Sequence, residues 1–374
     1  MQYKDLDITH VVSAQANTTP LGGCTLSDGV IEAMSEAAKW HVDIDKLWDA
    51  AGARFAEVTG TEDACPTTGA SAGVAISVAA IIAGTDVSRI QSLPGAVDGP
   101  NEVLLQKGHS ISYSGAPIGQ MIAIGGGRVK EVGAVNETLP AHIEGAITEH
   151  TAALMFVTSH THASQRRSVP LEEVIAIGRR HNIPVIVDAA NEEDLKHWSA
   201  LGADLVCYSG PKSLGAPTSG FICGSRQLIA ACRAQYSGIA RPMKVGKESL
   251  MGLLQAVDEY VAVTPLARGA QQRERMEALV PRLDALTGLT ARVSKDESGR
   301  EIYRVLLTVN PQEAGRDATT LAKEARAGTP AVYLRDFKMH LGQLEVDPRA
   351  LSAAGEEDVV RRLTELLMTT DARS

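Results

Sequence analysis

The chain has 374 residues, enough for two or more lobes, since single hydrophobic cores stop growing at roughly 250–300 residues. Hydrophobic residues make up 44% and charged residues 22%, which excludes a disordered chain and one built into a membrane. With 36 basic and 45 acidic residues the net charge is −9, aromatics are 4%, and no run of Lys and Arg occurs. A general nucleic-acid binder and a base-stacking platform are both disfavoured.

The first residues, MQYKDLDITH, lack the basic-then-apolar order of a secretory signal. The uncharged stretch from Ala64 to Thr85 carries Pro66, Thr67, Thr68, Gly69 and Ser71 in its first half, too polar and too short for a membrane span of about 20 apolar residues. Five cysteines, Cys24, Cys65, Cys207, Cys223 and Cys232, are odd in number and show no C-x-x-C spacing. Free thiols in a reducing cytoplasm are the simplest reading.

Along the chain, periodicity predicts helices over Leu26–Lys39, opened by Ser27 or Asp28, and over Ile44–Val58. A buried helix follows at Gly73–Ala83, then short apolar runs that read as strands at Val103–Leu105, Met121–Ile124 and Ala153–Thr158. Leu171–His181 reads as a helix broken before Pro184, Val185–Asp188 as a strand, Asn191–Leu201 as a helix and Asp204–Tyr208 as a strand, with Phe221–Cys223 another apolar run. Strands separated by helix-length segments imply an α/β fold, a mostly parallel sheet with helices on both faces. From Glu248 a long helical stretch runs to about Leu286, interrupted near Pro265 and Pro281. Strands at Tyr303–Val309, Ala331–Arg335 and Gln343–Val346 and helices at Asp317–Ala327 and Glu356–Met368 then make a smaller α+β lobe. The expected division is an N-terminal segment over 1–45, a large cofactor-binding domain over 46–247, and a linking helix with a small C-terminal domain over 248–374.

Three features point to chemistry. Thr67-Thr68-Gly69-Ala70-Ser71-Ala72-Gly73 puts small and hydroxyl residues directly before an apolar helix, where backbone N–H groups and the helix dipole make an anion site. Taken alone, such a stretch is also an ordinary helix cap. Asp188 ends a strand, and ligands in open α/β sheets bind beyond the carboxyl ends of strands; a cap on the following helix is the plainer alternative. Lys212 lies in Ser209-Gly210-Pro211-Lys212-Ser213-Leu214-Gly215 between two apolar runs. A lysine so held can form a Schiff base, although a plain surface loop is the other reading, and the G-x-x-x-x-G-K spacing of a P-loop is absent. Together, a phosphate cup, a carboxylate and a Schiff-base lysine in that order are what pyridoxal 5′-phosphate (PLP) requires.

The sequence resembles the fold-type I PLP-dependent enzymes, in particular the selenocysteine synthase-like branch that includes D-glucosaminate-6-phosphate ammonia-lyase. The resemblance runs through Gly22-Gly23-Cys24-Thr25-Leu26-Ser27, the Thr68–Gly73 cup, Gly125-Gly126-Gly127-Arg128-Val129, Val187-Asp188-Ala189-Ala190, the Ser209–Gly215 segment, Met243-Lys244-Val245-Gly246-Lys247-Glu248 and Asp347-Pro348-Arg349. It implies Lys212 as the Schiff-base lysine and Asp188 as the partner of the pyridine nitrogen. Thr68, Gly69, Ala70 and Ser71 would form the phosphate cup, with Ser209 adding a hydroxyl and Ala190 lying close to the ring. His109 would stack on the ring, and Arg335 would clamp a substrate carboxylate. It also implies a homodimer or larger homo-oligomer. Two departures stand out: selenocysteine synthase carries an extra N-terminal tRNA-binding domain where this chain opens on the catalytic part, and Pro211 precedes the lysine. The −9 charge counts against a tRNA substrate.

The expected function is that of a PLP-dependent lyase acting on a small amino acid or amino-sugar acid, by Cα-proton abstraction and elimination to a keto acid and ammonia. An aminotransferase or racemase shares the early steps, and a scaffold or ligand sensor is the non-catalytic alternative. Among other candidates, Lys244 and Lys247 suit phosphate or subunit-edge contacts. His160-Thr161-His162 has His-x-His spacing but no completing ligand, so no metal is expected, and His160 alternatively faces the cofactor. Arg166-Arg167 suits an anionic group or a solvated turn, and Trp40-His41 with Asp43 and Asp45 a helix junction.

Overall fold

The computed structural model of the chain describes residues 1–95, 98–113, 116–159 and 165–368. In chain order, β1 (Val11–Ala14) precedes α1 (Asp28–Ala38) and α2 (Ile44–Thr59). Strand β2 (Asp63–Thr67) leads into α3 (Ala70–Ala83) and α4 (Val87–Ser92), and β3 (Glu102–Gln106) into the short β4–β5 pair (Ser112–Tyr113, Ala116–Pro117) and α5 (Ile118–Ile124). There follow β6 (Arg128–Val132), α6 (Pro140–Glu144), β7 (Thr151–Val157), α7 (Leu171–His181), β8 (Val185–Asp188) and α8 (His197–Leu201). Next come β9 (Leu205–Ser209), β10 (Gly220–Gly224), α9 (Arg226–Ala234), α10 (Lys247–Val261) and α11 (Pro265–Asp284). The last elements are β11 (Leu289–Lys295), β12 (Tyr303–Val309), α12 (Pro311–Ala314), α13 (Ala318–Arg326), β13 (Ala331–Leu334), β14 (Gln343–Val346) and α14 (Ala353–Met368).

These elements divide into two units: Leu26–Ala262, and Met1–Thr25 with the chain from Val263 onward. The first holds a seven-stranded sheet of order β2-β10-β9-β8-β7-β3-β6, parallel except for β10, which runs antiparallel to both neighbours. Its inner strands β7, β8, β9 and β10 are buried and largely apolar because both faces are covered, whereas the edge strand β6 is charged and partly exposed. In β9, Val206 and Tyr208 face one core with Phe55 and Phe221, while Leu205 and Cys207 face the other with Val74 and Ile76. Helix α3 is buried nearly all round, as a helix apolar on every side must be. In the second unit β1 pairs in parallel with β13, and β11-β12-β14 form an antiparallel sheet. The α/β class with a mostly parallel sheet and a small α+β lobe is as expected.

Three expected elements differ. Met121–Ile124, read as a strand, lies in α5: Pro117 opens the helix, and a four-residue apolar run cannot by itself separate strand from helix. Of Asn191–Leu201, only His197–Leu201 is helical; the Asp194 carboxylate accepts from the Lys196 and His197 amides and starts the helix there. Pro281 does not interrupt α11, whereas Pro265 opens that helix, with Thr264 as its cap. Trp40 to Asp45 is the junction expected, Asp43 capping α2.

Candidate active site

All the parallel strands of the large sheet end on one edge, and β10 begins there, Gly220 standing opposite both Thr67 and Ser209. The topology therefore gathers the turn after β2, the lysine turn after β9, Asp188 at the end of β8, and His109 just past β3. Open α/β sheets bind ligands at such an edge.

The turn after β2 is built for close approach. The Thr67 hydroxyl accepts from the Gly69 amide (3.2 Å) and donates to the Gly69 carbonyl (2.9 Å), while the Thr68 amide donates to the Met243 carbonyl (3.2 Å). The first helical bond of α3 runs from the Gly73 amide to the Gly69 carbonyl. The amides of Ala70, Ser71 and Ala72 thus precede it, as first-turn donors at the positive end of the dipole. Gly69 caps the helix without a side chain over those donors. A Cβ on Gly220 would lie 2.8 Å from the Gly69 Cα and 2.4 Å from the Tyr208 carbonyl oxygen, so two backbones meet beneath the cup where no side chain fits. Of the expected cup residues, Ser71 is exposed, Thr68 and Gly69 half-buried and Ala70 buried. Thr68 has its hydroxyl to offer, since its amide is engaged.

The lysine turn is pinned by Gly210, whose amide donates to the Ser219 carbonyl (2.8 Å) and whose carbonyl accepts from Ala216 (2.9 Å). A Cβ on Gly210 would come within 2.3 Å of the Ser219 hydroxyl and 3.0 Å of the Ser219 carbonyl oxygen, so a side chain here would have to displace that hydroxyl. The Ser213 hydroxyl donates to the Asn191 carbonyl (3.4 Å), joining the lysine turn to the turn after Asp188. Asp188 accepts from the Ala190 amide (3.0 Å). Burial pushes its carboxyl above the ordinary range, against the opposing pull of the Lys212 charge and of that amide. A desolvated carboxylate facing one ammonium and one amide suits a further cationic N–H, such as a protonated pyridine nitrogen. A side-chain-free cup of helix-start donors, this carboxylate and a lysine in its field fit the phosphate, ring nitrogen and aldehyde of PLP.

Ser209 and His109 are buried, Ala190 half-buried. The His109 Nδ1 accepts from the Val157 amide (3.3 Å), and the ring meets Phe156 edge-on at 4.7 Å. Arg335 lies in the other unit, one residue past β13, buried and ion-paired with Glu345. Lys247 donates to the Ala37 carbonyl (2.6 Å) and to Glu248 (2.5 Å), which ties it to its own surroundings, and Lys244 is exposed. Arg166 and Arg167 are exposed; His160 and His162 lie outside the described residues. Sequence reasoning missed the roles of the Ser219 and Met243 carbonyls and of the Ser213 hydroxyl, which depend on partners brought together only by the fold.

Comparison with known proteins agrees with this geometry. Residues 11–374 match the family model described as SelA: L-seryl-tRNA selenium transferase. The chain belongs to the SelA family. Family members and structural neighbours are PLP-dependent enzymes of fold type I, and so is this one. A 5′-C-glycyluridine monooxygenase-decarboxylase from a Streptomyces species is 68% identical over 368 residues, 98% of this chain and 92% of that one. The D-glucosaminate-6-phosphate ammonia lyase of Salmonella typhimurium is 40% identical over 97% of each chain. A solved D-glucosaminate-6-phosphate ammonia-lyase superposes with TM-score 0.89 at 39% identity, covering 99% of this chain and 98% of that one. The lyase expected from the sequence, acting on an amino-sugar acid, is supported by these two matches. Selenium transferases are more distant: that of Edwardsiella ictaluri is 30% identical over 72% of this chain and 58% of its own. Among the described residues no helix is long and apolar enough to cross a membrane.

Proposed function

We propose that the protein uses PLP to act at the α-carbon of an α-amino acid that bears a β-oxygen and is built on a sugar. The relatives' names motivate the substrate class: glycyluridine extended at C5′, glucosaminate and a seryl group are each α-amino acids or acyl groups with oxygen on the β-carbon. Of the three reactions those names describe, the 68% identity favours oxygen-dependent decarboxylation, and that identity is the observation that carries this reading. Elimination to a keto acid and ammonia is the second reading, favoured by the full-length match at 40% and the TM-score of 0.89.

Bound at the sheet edge, PLP supplies an electron sink conjugated with the substrate amine. The amides of Ala70, Ser71 and Ala72, with the hydroxyls of Thr68, Ser71 and Ser209, would hold its phosphate. Asp188 would hold a proton on the ring nitrogen. Lys212 would tether the aldehyde until the substrate amine replaces it, and its freed Nζ then stands ready to move the proton at Cα in the elimination reading. Arg335 would orient the substrate carboxylate and so decide which bond to Cα is weakened. His109 is assigned to the cofactor ring by resemblance. The same reading carries a cytoplasmic homodimer acting on small molecules, and the −9 charge favours a substrate other than nucleic acid.

PLP-loaded protein offered 5′-C-glycyluridine is expected to consume one O2 per CO2 released, leaving the carboxamide and water, which balances without an added reductant. Ammonia and a keto acid from D-glucosaminate 6-phosphate, with no oxygen uptake from the nucleoside, would replace this reading by elimination. Exchange of Cα configuration without any of these products would sink both. Lys212→Ala is expected to remove the visible absorption of the tethered cofactor together with either activity.

A further inference from the structure

Arg335 is held by a carboxylate of its own chain. It and Glu345 face each other across paired backbones, the Arg335 amide donating to the Glu345 carbonyl and the Glu345 amide to the Arg335 carbonyl, both at 2.9 Å. Their side chains form an ion pair, and each is about 5% exposed or less. The guanidinium also lies 4.9 Å from the ring of exposed Phe337 and 4.0 Å from Glu297. The second Glu345 oxygen is 3.4 Å from the Lys338 ammonium, which itself pairs with Glu297. Glu345 therefore stands between two cations, one deeply buried and one 29% exposed.

We propose that Glu345 is an internal competitor for the Arg335 guanidinium, displaced by a substrate carboxylate and received by Lys338. This rests on the reading of Arg335 as the carboxylate clamp and adds the device that sets its selectivity. A guanidinium left bare in a desolvated place is costly, so a resident carboxylate stabilises the unliganded lobe. The same carboxylate raises the threshold for a ligand: a neutral group cannot compensate the charge it would expel, whereas a carboxylate replaces one ion pair with another. Lys338 lowers the cost of the exchange, because Glu345 needs only a change of rotamer to remain paired.

The test measures acetate binding to the PLP-loaded protein by saturation-transfer NMR, with Arg335→Met as the background. Glu345→Gln is expected to bind acetate roughly tenfold more tightly than the natural chain, a tenfold change being about 1.4 kcal/mol. Lys338→Met is expected to bind it several-fold more weakly, and Glu345→Gln/Lys338→Met to regain the tight binding, since nothing is left to be handed over. Weaker binding in Glu345→Gln would show that Glu345 merely orients Arg335 and would overturn the proposal while leaving the clamp in place. A signal unchanged in Arg335→Met would remove the clamp itself, and the exchange with it.

Discussion

Asp188 and Asp347 are both carboxylates at the end of a strand region, and their surroundings drive them in opposite directions. Asp347 accepts from Arg304 Nε (2.6 Å) and from Arg349 Nε and Nη2 (2.9 Å each), and these two guanidiniums hold it far below the ordinary carboxylate range despite burial. Asp296 is depressed likewise by Arg300 and Arg304. Asp188 has the Ala190 amide and the charge of Lys212, and burial prevails, so its carboxyl is pushed up. One unit thus saturates these two buried acids with its own cations, while Asp188 in the other keeps one amide and the charge of one lysine, and on the proposed function its further partner is the pyridine nitrogen of PLP. A carboxylate completed by the protein is structural, and one whose pKa is raised in a cleft is a candidate for function.

The contrast breaks most visibly at Arg304, which is 2% exposed and bonded to both Asp296 (2.8 Å) and Asp347 (2.6 Å). Removing one partner of a buried ion pair costs about 3–5 kcal/mol, so Arg304→Met is expected to lower the unfolding free energy read from urea melts by an amount of that order. The pH dependence has a definite sign. Both acids have folded values below their unfolded ones, so their contribution is complete above about pH 4 and drains away as the pH falls further. Urea melts of Arg304→Met at falling pH should converge on those of the natural chain; a constant gap would mean that Arg304 acts through packing alone.

Asp188 has the opposite sign. Its folded value lies above the unfolded one, so the ionised carboxyl costs stability at neutral pH, and that cost vanishes as the pH falls towards about 4. Asp188→Asn in the cofactor-free chain is therefore expected to be more stable by about 1 kcal/mol. With cofactor the order reverses: the variant should release PLP more readily on dialysis and turn over about a hundredfold more slowly. Equal stability of the two cofactor-free chains would remove the distinction between the two aspartates.

Much of the large unit was legible because its signals are local. The run Val185-Ile186-Val187 before Asp188 needs only two covered faces to become a parallel strand, and Lys212 sits between apolar runs whose ends the sheet must bring to one edge. What escaped depends on distant partners. Strand β1 exists because Val11–Ala14 finds Ala331–Leu334, more than three hundred residues away, and no local periodicity announces it. Strand β2, with Pro66 as its next-to-last residue, is admitted as the outer strand of its sheet. Glu345 became relevant only once the paired backbones placed it against Arg335, and the Met243 carbonyl only once it accepted the Thr68 amide.

The smallest expected effect probes how the two halves of the cofactor site are held in register. Ser213 is not among the residues expected to hold the cofactor; its hydroxyl donates at 3.4 Å to the Asn191 carbonyl, linking the turn that bears Lys212 to the turn that follows Asp188. A bond that long between half-buried groups is weak, so Ser213→Ala should cost about 0.5 kcal/mol of stability, near the limit of a denaturant melt. Its effect on geometry should be easier to see, because the charge of Lys212 is one of the two influences that oppose burial at Asp188. Loosening the link lets that separation vary, and the pH at which the visible band of the PLP-loaded protein changes should move while PLP affinity falls less than threefold. Ser213→Thr keeps the hydroxyl and should restore the natural profile. A titration unmoved in Ser213→Ala would show that the two turns hold their spacing through the β8–β9 pairing alone.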